Sequence, residues 1–180
     1  MFMALKRGQQ APHFAAKDVF GGEVNLSAYA GHKTMVSFYR FSSCPFCNLR
    51  IQRILARQQH FEEKGLRMIS FWQSTGDTIL EHVGQQNPPF PMISDPDKQI
   101  YRMYDVEQSW RGALKVMKSP SLVMNALKRG FNPATADGDM NQLPADFLLN
   151  PDLTIHHAYY GEHIGDHIDF ADIDRFLSGQ

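Results

Sequence analysis

Apolar and polar positions along this chain switch between a period of two and a period near 3.6, and the switches mark out its elements. Residues 18–27, DVFGGEVNLS, predict a small hairpin around Gly21-Gly22 followed by a short capped turn. Lys33 to Arg40, KTMVSFYR, is β-branched and aromatic, which predicts a central strand. A helix is expected from Pro45 to just before Gly65, with Ile51, Ile54, Leu55 and Phe61 on one face and Gly65 closing it. Leu66 to Trp72 predicts the next strand, 76–86 a helix, 90–95 a short extended piece and 96–104 a turn or short helix.

The stretch 105–142 is less regular and is expected to be a partly helical insertion. Its clearest piece is SPSLVMNALKRG, where Ser119 caps, Pro120 takes the first helical position and Gly130 follows the last turn. Asp146–Leu149 and Thr154–Tyr160 predict two strands joined by a turn at Asn150-Pro151-Asp152. A last helix carries Phe170, Ile173, Phe176 and Leu177 on one stripe. Strand–helix–strand, then a strand pair and a closing helix, predicts an α/β fold with a mixed sheet in a single domain over residues 1–180.

Composition narrows the function classes. With 43% hydrophobic and 21% charged residues in 180, the chain has the makings of one well-buried core. A net charge of -1 gives no reason to expect nucleic acid or an anionic membrane as partner. The start has Lys6 and Arg7 after few apolar residues, so neither a secretory signal nor a spanning helix is expected, and the cytoplasm is the default compartment. Two cysteines are too few for a disulfide scaffold.

Their setting points to chemistry instead. FYRFSSCPFCNLRIQRIL runs from a strand end into a helix, with Cys44 at the cap and Pro45 at the first helical position. Cys44 then faces the free N–H groups and positive end of the helix, which stabilise a thiolate. Cys47 lies one turn on, within disulfide reach, and Arg40 and Arg50 are placed to add positive potential. The expected reaction is thiol–disulfide exchange: Cys44 attacks a substrate disulfide and Cys47 resolves the adduct. Two bland readings compete. The cysteines could be small core residues, or half of a zinc site completed by His156, His157, His163 and His167. The position at a strand-to-helix junction argues against the first. The histidine spacing argues against the second, so no metal and no cofactor are expected.

The chain resembles the peroxiredoxin-like branch of the AhpC/TSA (alkyl hydroperoxide reductase/thiol-specific antioxidant) group over nearly its whole length. The resemblance is carried by GQQAPHFAAKDVFGGEVNLSAYAG, the CxxC segment, FPMISDPDKQIYRMYDV and GDMNQLPADFLLNPDLTI, in that order. It implies a thioredoxin-like fold with an N-terminal hairpin extension and an antioxidant or redox-maintenance role. Laid on Phe38-Tyr39, the group's pattern puts Cys47 at the peroxide-attacking position, Cys44 where Thr is usual and Arg40 where Pro is usual. It also leads one to expect an Arg before the late strand, where Gln142-Leu143-Pro144 stands. Disulfide exchange is therefore preferred to a peroxidase in which Cys47 is oxidised and Cys44 resolves it. A redox-sensing or binding module on the same fold is the third reading.

The resemblance further implies that Pro144 is a cis-proline facing the cysteines. Trp72 and Arg40 complete the expected substrate-binding set. For Trp72 an exposed peptide-binding aromatic and a partly buried core residue stand side by side, and Arg40 has a bland reading as a solvated strand end. The partners implied are a disulfide-bearing protein or a small thiol or peroxide, and a thioredoxin- or glutathione-type electron donor. An edge strand or the 105–142 stretch is where a homodimer would form.

Overall fold

Five strands build the central sheet of the structure, a computed structural model that describes residues 4–106 and 136–179. A two-stranded hairpin comes first, β1 (Ala15–Lys17) and β2 (Glu23–Asn25), antiparallel. Its turn carries Gly21 at φ 87, where a side chain would be strained. Then follow β3 (Thr34–Phe38), α1 (Pro45–Leu55), α2 (Gln58–Glu63), β4 (Arg67–Trp72), α3 (Gly76–Glu81), β5 (Met92–Ser94) and α4 (Gln99–Met103). After the segment outside the described residues come β6 (Ala145–Leu149), β7 (Ile155–Tyr160) and α5 (Phe170–Ser178). The helix expected over 119–130, and most of the expected insertion, fall outside the described residues.

The sheet order is β5-β4-β3-β6-β7, with β3 parallel to β4, β4 parallel to β5, and β6 antiparallel to both β3 and β7. This is the mixed α/β arrangement expected from the sequence. Every residue of β3 is buried, because elements cover both sheet faces, and that is why the strand reads as a nearly unbroken apolar run.

The pleat sorts side chains into two cores. On one face Met35, Tyr39, Met68, Trp72, Met92 and Leu148 pack under α1, α2, α3 and α5, together with Cys44 and Cys47. On the other, Val36, Phe38, Ile69, Phe71 and Phe147 meet the hairpin side and the Tyr101 and Tyr104 rings. The dithiol therefore belongs to the helix-covered face.

Two helices differ from their expected form. The single helix expected to Gly65 is broken between α1 and α2, where Arg57 N–H reaches back only to Ile54 O at 2.9 Å and tightens the turn. The break puts Arg57 over the Phe170 ring of α5, 4.8 Å away, and against Asp174 at 3.2 Å. Gly65 does close the unit, at φ 72. The helix expected over 76–86 is likewise divided, into α3 and a 3₁₀ turn at Val83–Gln86, at His82 with φ -113 and ψ -95.

One close approach fixes the end of the sheet near the dithiol. Gly161 N–H donates to Pro144 O at 2.9 Å, continuing the β6–β7 ladder past Ala145 and Tyr160. A Cβ on Gly161 would lie 2.3 Å from Asp166 O and 3.0 Å from Pro144 O, both backbone atoms with little freedom to yield. Gly161→Ala is expected to lower stability by about 1–3 kcal/mol, read as a fall in the urea midpoint with an unchanged slope.

Candidate active site

The loop between β3 and α1 is fastened before the helix starts. Cys44 N–H donates to Phe41 O at 3.0 Å, and Asn48 Nδ2 returns from the first turn to Ser42 O at 2.6 Å and Cys44 O at 3.0 Å. Gln86 Nε2 in turn donates to Asn48 Oδ1 at 2.9 Å. Cys44 is the N-cap, extended at φ -64 and ψ 120, and Pro45 begins the helix where its missing N–H costs nothing. This is the placement expected from the sequence, and it leaves the Cys44 sulfur over the free N–H groups of the first turn.

The sulfur collects donors. Arg40 Nη1 donates to Cys44 Sγ at 3.1 Å, and the Cys47 thiol and the backbone N–H groups of Cys47 and Phe46 donate to it as well. Burial alone would raise the Cys44 thiol, but these donors and the guanidinium charge outweigh it and bring it down to about 6. Burial pushes Cys47 well above the ordinary thiol range, reinforced by its hydrogen bond to Cys44 and the negative charge there. A backbone N–H from Arg40 and the Arg40 charge oppose this without reversing it. One sulfur is thus a thiolate at neutral pH and its neighbour a thiol.

Arg40 is the strongest departure from the sequence reading. The bland reading, a solvated strand end, fails: Arg40 is 1% exposed, among the largest fully buried side chains. Its guanidinium lies against the Phe41 ring at 4.8 Å and also donates from Nη2 to Met140 O. Arg50 does not join it. Nη2 of Arg50 donates to Ile168 O at 2.9 Å and the group stacks on Phe170 at 4.2 Å, so its charge acts on Tyr39 and Asp146.

Residues 137–140 cross over the site. Asp137 accepts from Ser74 Oγ at 2.6 Å, Asp139 N–H donates to Gln73 Oε1 at 2.7 Å, and Lys98 pairs with Asp139. Gly138 sits so close that an added Cβ would meet Gln73 Oε1 at 2.8 Å and Phe41 Cβ at 3.2 Å. Both cysteines are fully buried.

Two expected substrate contacts are corrected. Trp72 is not exposed: it is fully buried, stacked on Tyr39 with ring centroids 4.4 Å apart, and its Nε1–H donates to Ser70 Oγ at 3.0 Å. The core alternative is the right one. The Leu143–Pro144 bond is trans, since no described peptide bond is cis. Trans is the cheaper form by about 0.5–1 kcal/mol, and a proline leading into a strand needs no N–H there. The Pro144 carbonyl is already held by Gly161.

The four histidines of the tail are dispersed. His156 packs on Phe176 at 4.8 Å, His157 lies beside Tyr159, His163 Nδ1 accepts from Gly165 N–H, and His167 is paired with Asp146. Sequence reasoning missed that last pair. Asp146 is fully buried; burial would raise its carboxyl, yet His167, Arg50 and Ser37 hold it at about 2. A carboxylate within the apolar strand ADFLL was the available signal.

The AhpC/TSA family model matches residues 7–158. Rv2521 of Mycobacterium tuberculosis is 28% identical over 96 residues, which are 53% of this chain and 61% of that protein, so the match spans less than two thirds of this relative. Among solved structures, peroxidoxin BcpB of Mycobacterium tuberculosis superposes with a TM-score of 0.68 at 14% identity, over 97% of this chain and 95% of that one. The thioredoxin domain of thiol-disulfide oxidoreductase BVU-2223 from Bacteroides vulgatus gives 0.59 at 14% identity, over 97% and 99%. At such identities the structures speak for the thioredoxin-like fold alone, as the sequence resemblance implied.

Proposed function

Because the chain belongs to the AhpC/TSA family, we propose that it is a thiol–disulfide oxidoreductase that works through Cys44 and Cys47. The observation that carries this reading is the asymmetry of the pair: Arg40 and the helix N-terminus act on Cys44, while Cys47 is a buried thiol donating to it. The Cys44 thiolate attacks the substrate disulfide and releases one thiolate. Cys47 then attacks the Cys44 sulfur of the mixed disulfide, expels the second half of the substrate, and leaves a Cys44–Cys47 bond. A thioredoxin- or glutathione-type donor restores the dithiol. The cytoplasm, where thiols are kept reduced, is the proposed compartment. No described helix is long and apolar enough to cross a membrane.

A peroxidase is the second reading, favoured by the register that puts Cys47 at the peroxide-attacking position. The raised Cys47 thiol argues against it, since peroxide is attacked by thiolate. Arg40 is the positioning cation in either case, whereas Trp72 and Pro144 have no direct part in the proposed chemistry.

Limiting iodoacetamide at pH 7, followed by peptide mapping, is expected to label Cys44 first. Cys47→Ser should accumulate a mixed disulfide through Cys44, and Cys44→Ser should not. Labelling of Cys47 first, with sulfenic acid on Cys47 in Cys44→Ser after peroxide, would establish the peroxidase instead.

A further inference from the structure

The C-terminal ends of β3, β4 and β5 carry a row of polar groups, of which only Arg40 serves the Cys44 thiolate. These strands are parallel neighbours in the sheet, and in α/β folds ligands gather outside such strand ends. Arg40 follows β3, Gln73 and Ser74 follow β4, and Lys98 follows β5. Lys98 is set by a tight turn at φ 54, its N–H donating to Asp95 O at 2.9 Å. Residues 137–140 lie across this row. Lys98 pairs with the Asp139 carboxylate, and Asp139 N–H donates to Gln73 Oε1 at 2.7 Å. Ser74 Oγ–H donates to Asp137 at 2.6 Å, and Arg40 Nη2 donates to Met140 O.

The seat is buried and its occupant is not. Arg40, Gln73 and Ser74 are at most 2% exposed, whereas no residue of 137–140 is buried and Met140 is 41% exposed. Polar contacts of small net worth therefore hold the segment, and its departure would bare little apolar surface. The seat cannot stay empty in the same way, because a buried amide and guanidinium stripped of partners are costly. Gln73 Nε2 and Arg40 Nε already have no hydrogen-bond partner among the described residues. Cys44 is fully buried, so a substrate disulfide reaches it only when a neighbouring part moves. Residues 137–140 share the guanidinium that holds the Cys44 sulfur, and Gly138 packs against Phe41, whose carbonyl holds Cys44 N–H. One N–H given and one C=O bonded is also how an extended chain of another protein would be held.

We propose that residues 137–140 occupy the seat of the substrate chain, and that Arg40, Gln73 and Lys98 receive an acidic, extended segment of a disulfide-bearing protein in their place. The inference rests on the disulfide-exchange reading and names the partner of that same site. The Cys44 thiolate bonds to one substrate sulfur, the other sulfur leaves as thiolate, and the chain kept on Cys44 displaces 137–140. A backbone carbonyl of that chain takes the Arg40 N–H given up by Met140, and one of its N–H groups takes Gln73 Oε1. An acidic side chain takes Lys98, while the displaced Asp137 and Asp139 pass to water. A basic segment would set its positive charge against Lys98 and Arg40, so the seat selects by charge.

Two peptides test this, one with Asp and one with Lys on both sides of a single cysteine, each as its mixed disulfide with 5-thio-2-nitrobenzoate. Cys47→Ser traps the peptide on Cys44 as the coloured thiolate leaves, and each rate is divided by that of 2-mercaptoethanol with the same peptide. The acidic peptide should be preferred by at least about fivefold at low ionic strength, and salt should erode the preference. Adding Lys98→Glu should abolish or reverse it, and Lys98→Arg should keep it. Lys64→Glu, at the exposed end of α2, should leave it unchanged. Near-ultraviolet circular dichroism checks that the variants are folded. Hydrogen exchange across 137–140 should quicken once the acidic peptide is on Cys44. The inference is overturned, with disulfide exchange left intact, by any of three results. These are a preference that is absent, untouched by Lys98→Glu or shifted equally by Lys64→Glu; exchange across 137–140 unchanged by the adduct; or a Cys44 that takes Ellman's disulfide and neither peptide. If Cys44 takes neither the peptides nor Ellman's disulfide, the exchange reading fails and this inference falls with it.

Discussion

Arg40→Met is expected to slow alkylation of Cys44 at least about twofold at pH 6 and to move its pH midpoint up by at least one unit. Cys44 is fully buried, and burial by itself favours the neutral thiol. The hydrogen bond from the Cys47 thiol, the guanidinium 3.1 Å from the sulfur and the backbone N–H groups of the first turn together reverse this, and the guanidinium is the full positive charge among them. Methionine keeps much of the length and packs against Phe41, so the change removes charge more than volume. A shift of one unit corresponds to about 1.4 kcal/mol between the protonation states. With the native midpoint at about 6, half the protein is thiolate at pH 6 and most of it at pH 7. The variant would be mostly thiol at pH 6 and no more than about half thiolate at pH 7. The Cys44 thiolate of the variant, once formed, is intrinsically more nucleophilic, by a Brønsted slope of about 0.4–0.5, which offsets part of the loss of thiolate at every pH and exceeds it once both proteins are fully ionised. Rates should therefore cross, with the variant slower below neutrality and at least as fast near pH 9. A midpoint unchanged by the substitution would mean that the Cys47 hydrogen bond and the helix N-terminus set the thiolate without the guanidinium. The linked stability has a definite sign. A depressed thiol contributes fully above the unfolded value near 9 and loses its contribution as pH falls towards 6. The raised Cys47 works against it above 9.

Arg40 also shows where the sequence runs out. Strand identity, order and the cysteine placement follow from local signals: period-two runs, a proline at the first helical turn, glycines that close helices. Those signals act between neighbours in the chain, and the structure agrees with them at β3, β4, β6, β7 and at the start of α1. The burial of Arg40 depends on Met140, a hundred residues away, and no local pattern reports that contact. The same holds for Trp72, whose environment is decided by stacking across strands on Tyr39. Pro144 differs for another reason: the dipeptide is neutral, and the cis expectation comes from resemblance rather than from its own residues. Asp146 is legible in principle, because a charge in an apolar strand demands a partner. Its partner His167 lies on the loop before α5, which the pattern could not bring back to β6.

The reduction potential of the Cys44–Cys47 pair is expected to lie between those of thioredoxin, about -270 mV, and of the oxidant DsbA, about -120 mV. Stabilising the thiolate stabilises the reduced form and makes the disulfide a stronger oxidant. The attacking cysteines of those two proteins have pKa values of about 7 and 3.5, and Cys44 at about 6 falls between them, nearer thioredoxin. The dependence on pH carries a second and sharper consequence. Below pH 6 both sulfurs of the reduced pair hold protons, so reduction takes up two protons with two electrons and the potential falls about 59 mV per pH unit. Above pH 6 Cys44 is ionised while Cys47, pushed up by burial and by its neighbour's charge, keeps its proton. Only one proton then accompanies the two electrons, and the slope halves to about 30 mV per unit. Equilibration against glutathione at several pH values, read by alkylation of the remaining thiols, should show this break near pH 6. In Arg40→Met the break should move upward with the alkylation midpoint, and the potential at pH 7 should become more reducing. A single slope of about 59 mV across pH 5 to 8 would mean that Cys44 is an ordinary thiol, and the asymmetry on which disulfide exchange rests would be gone.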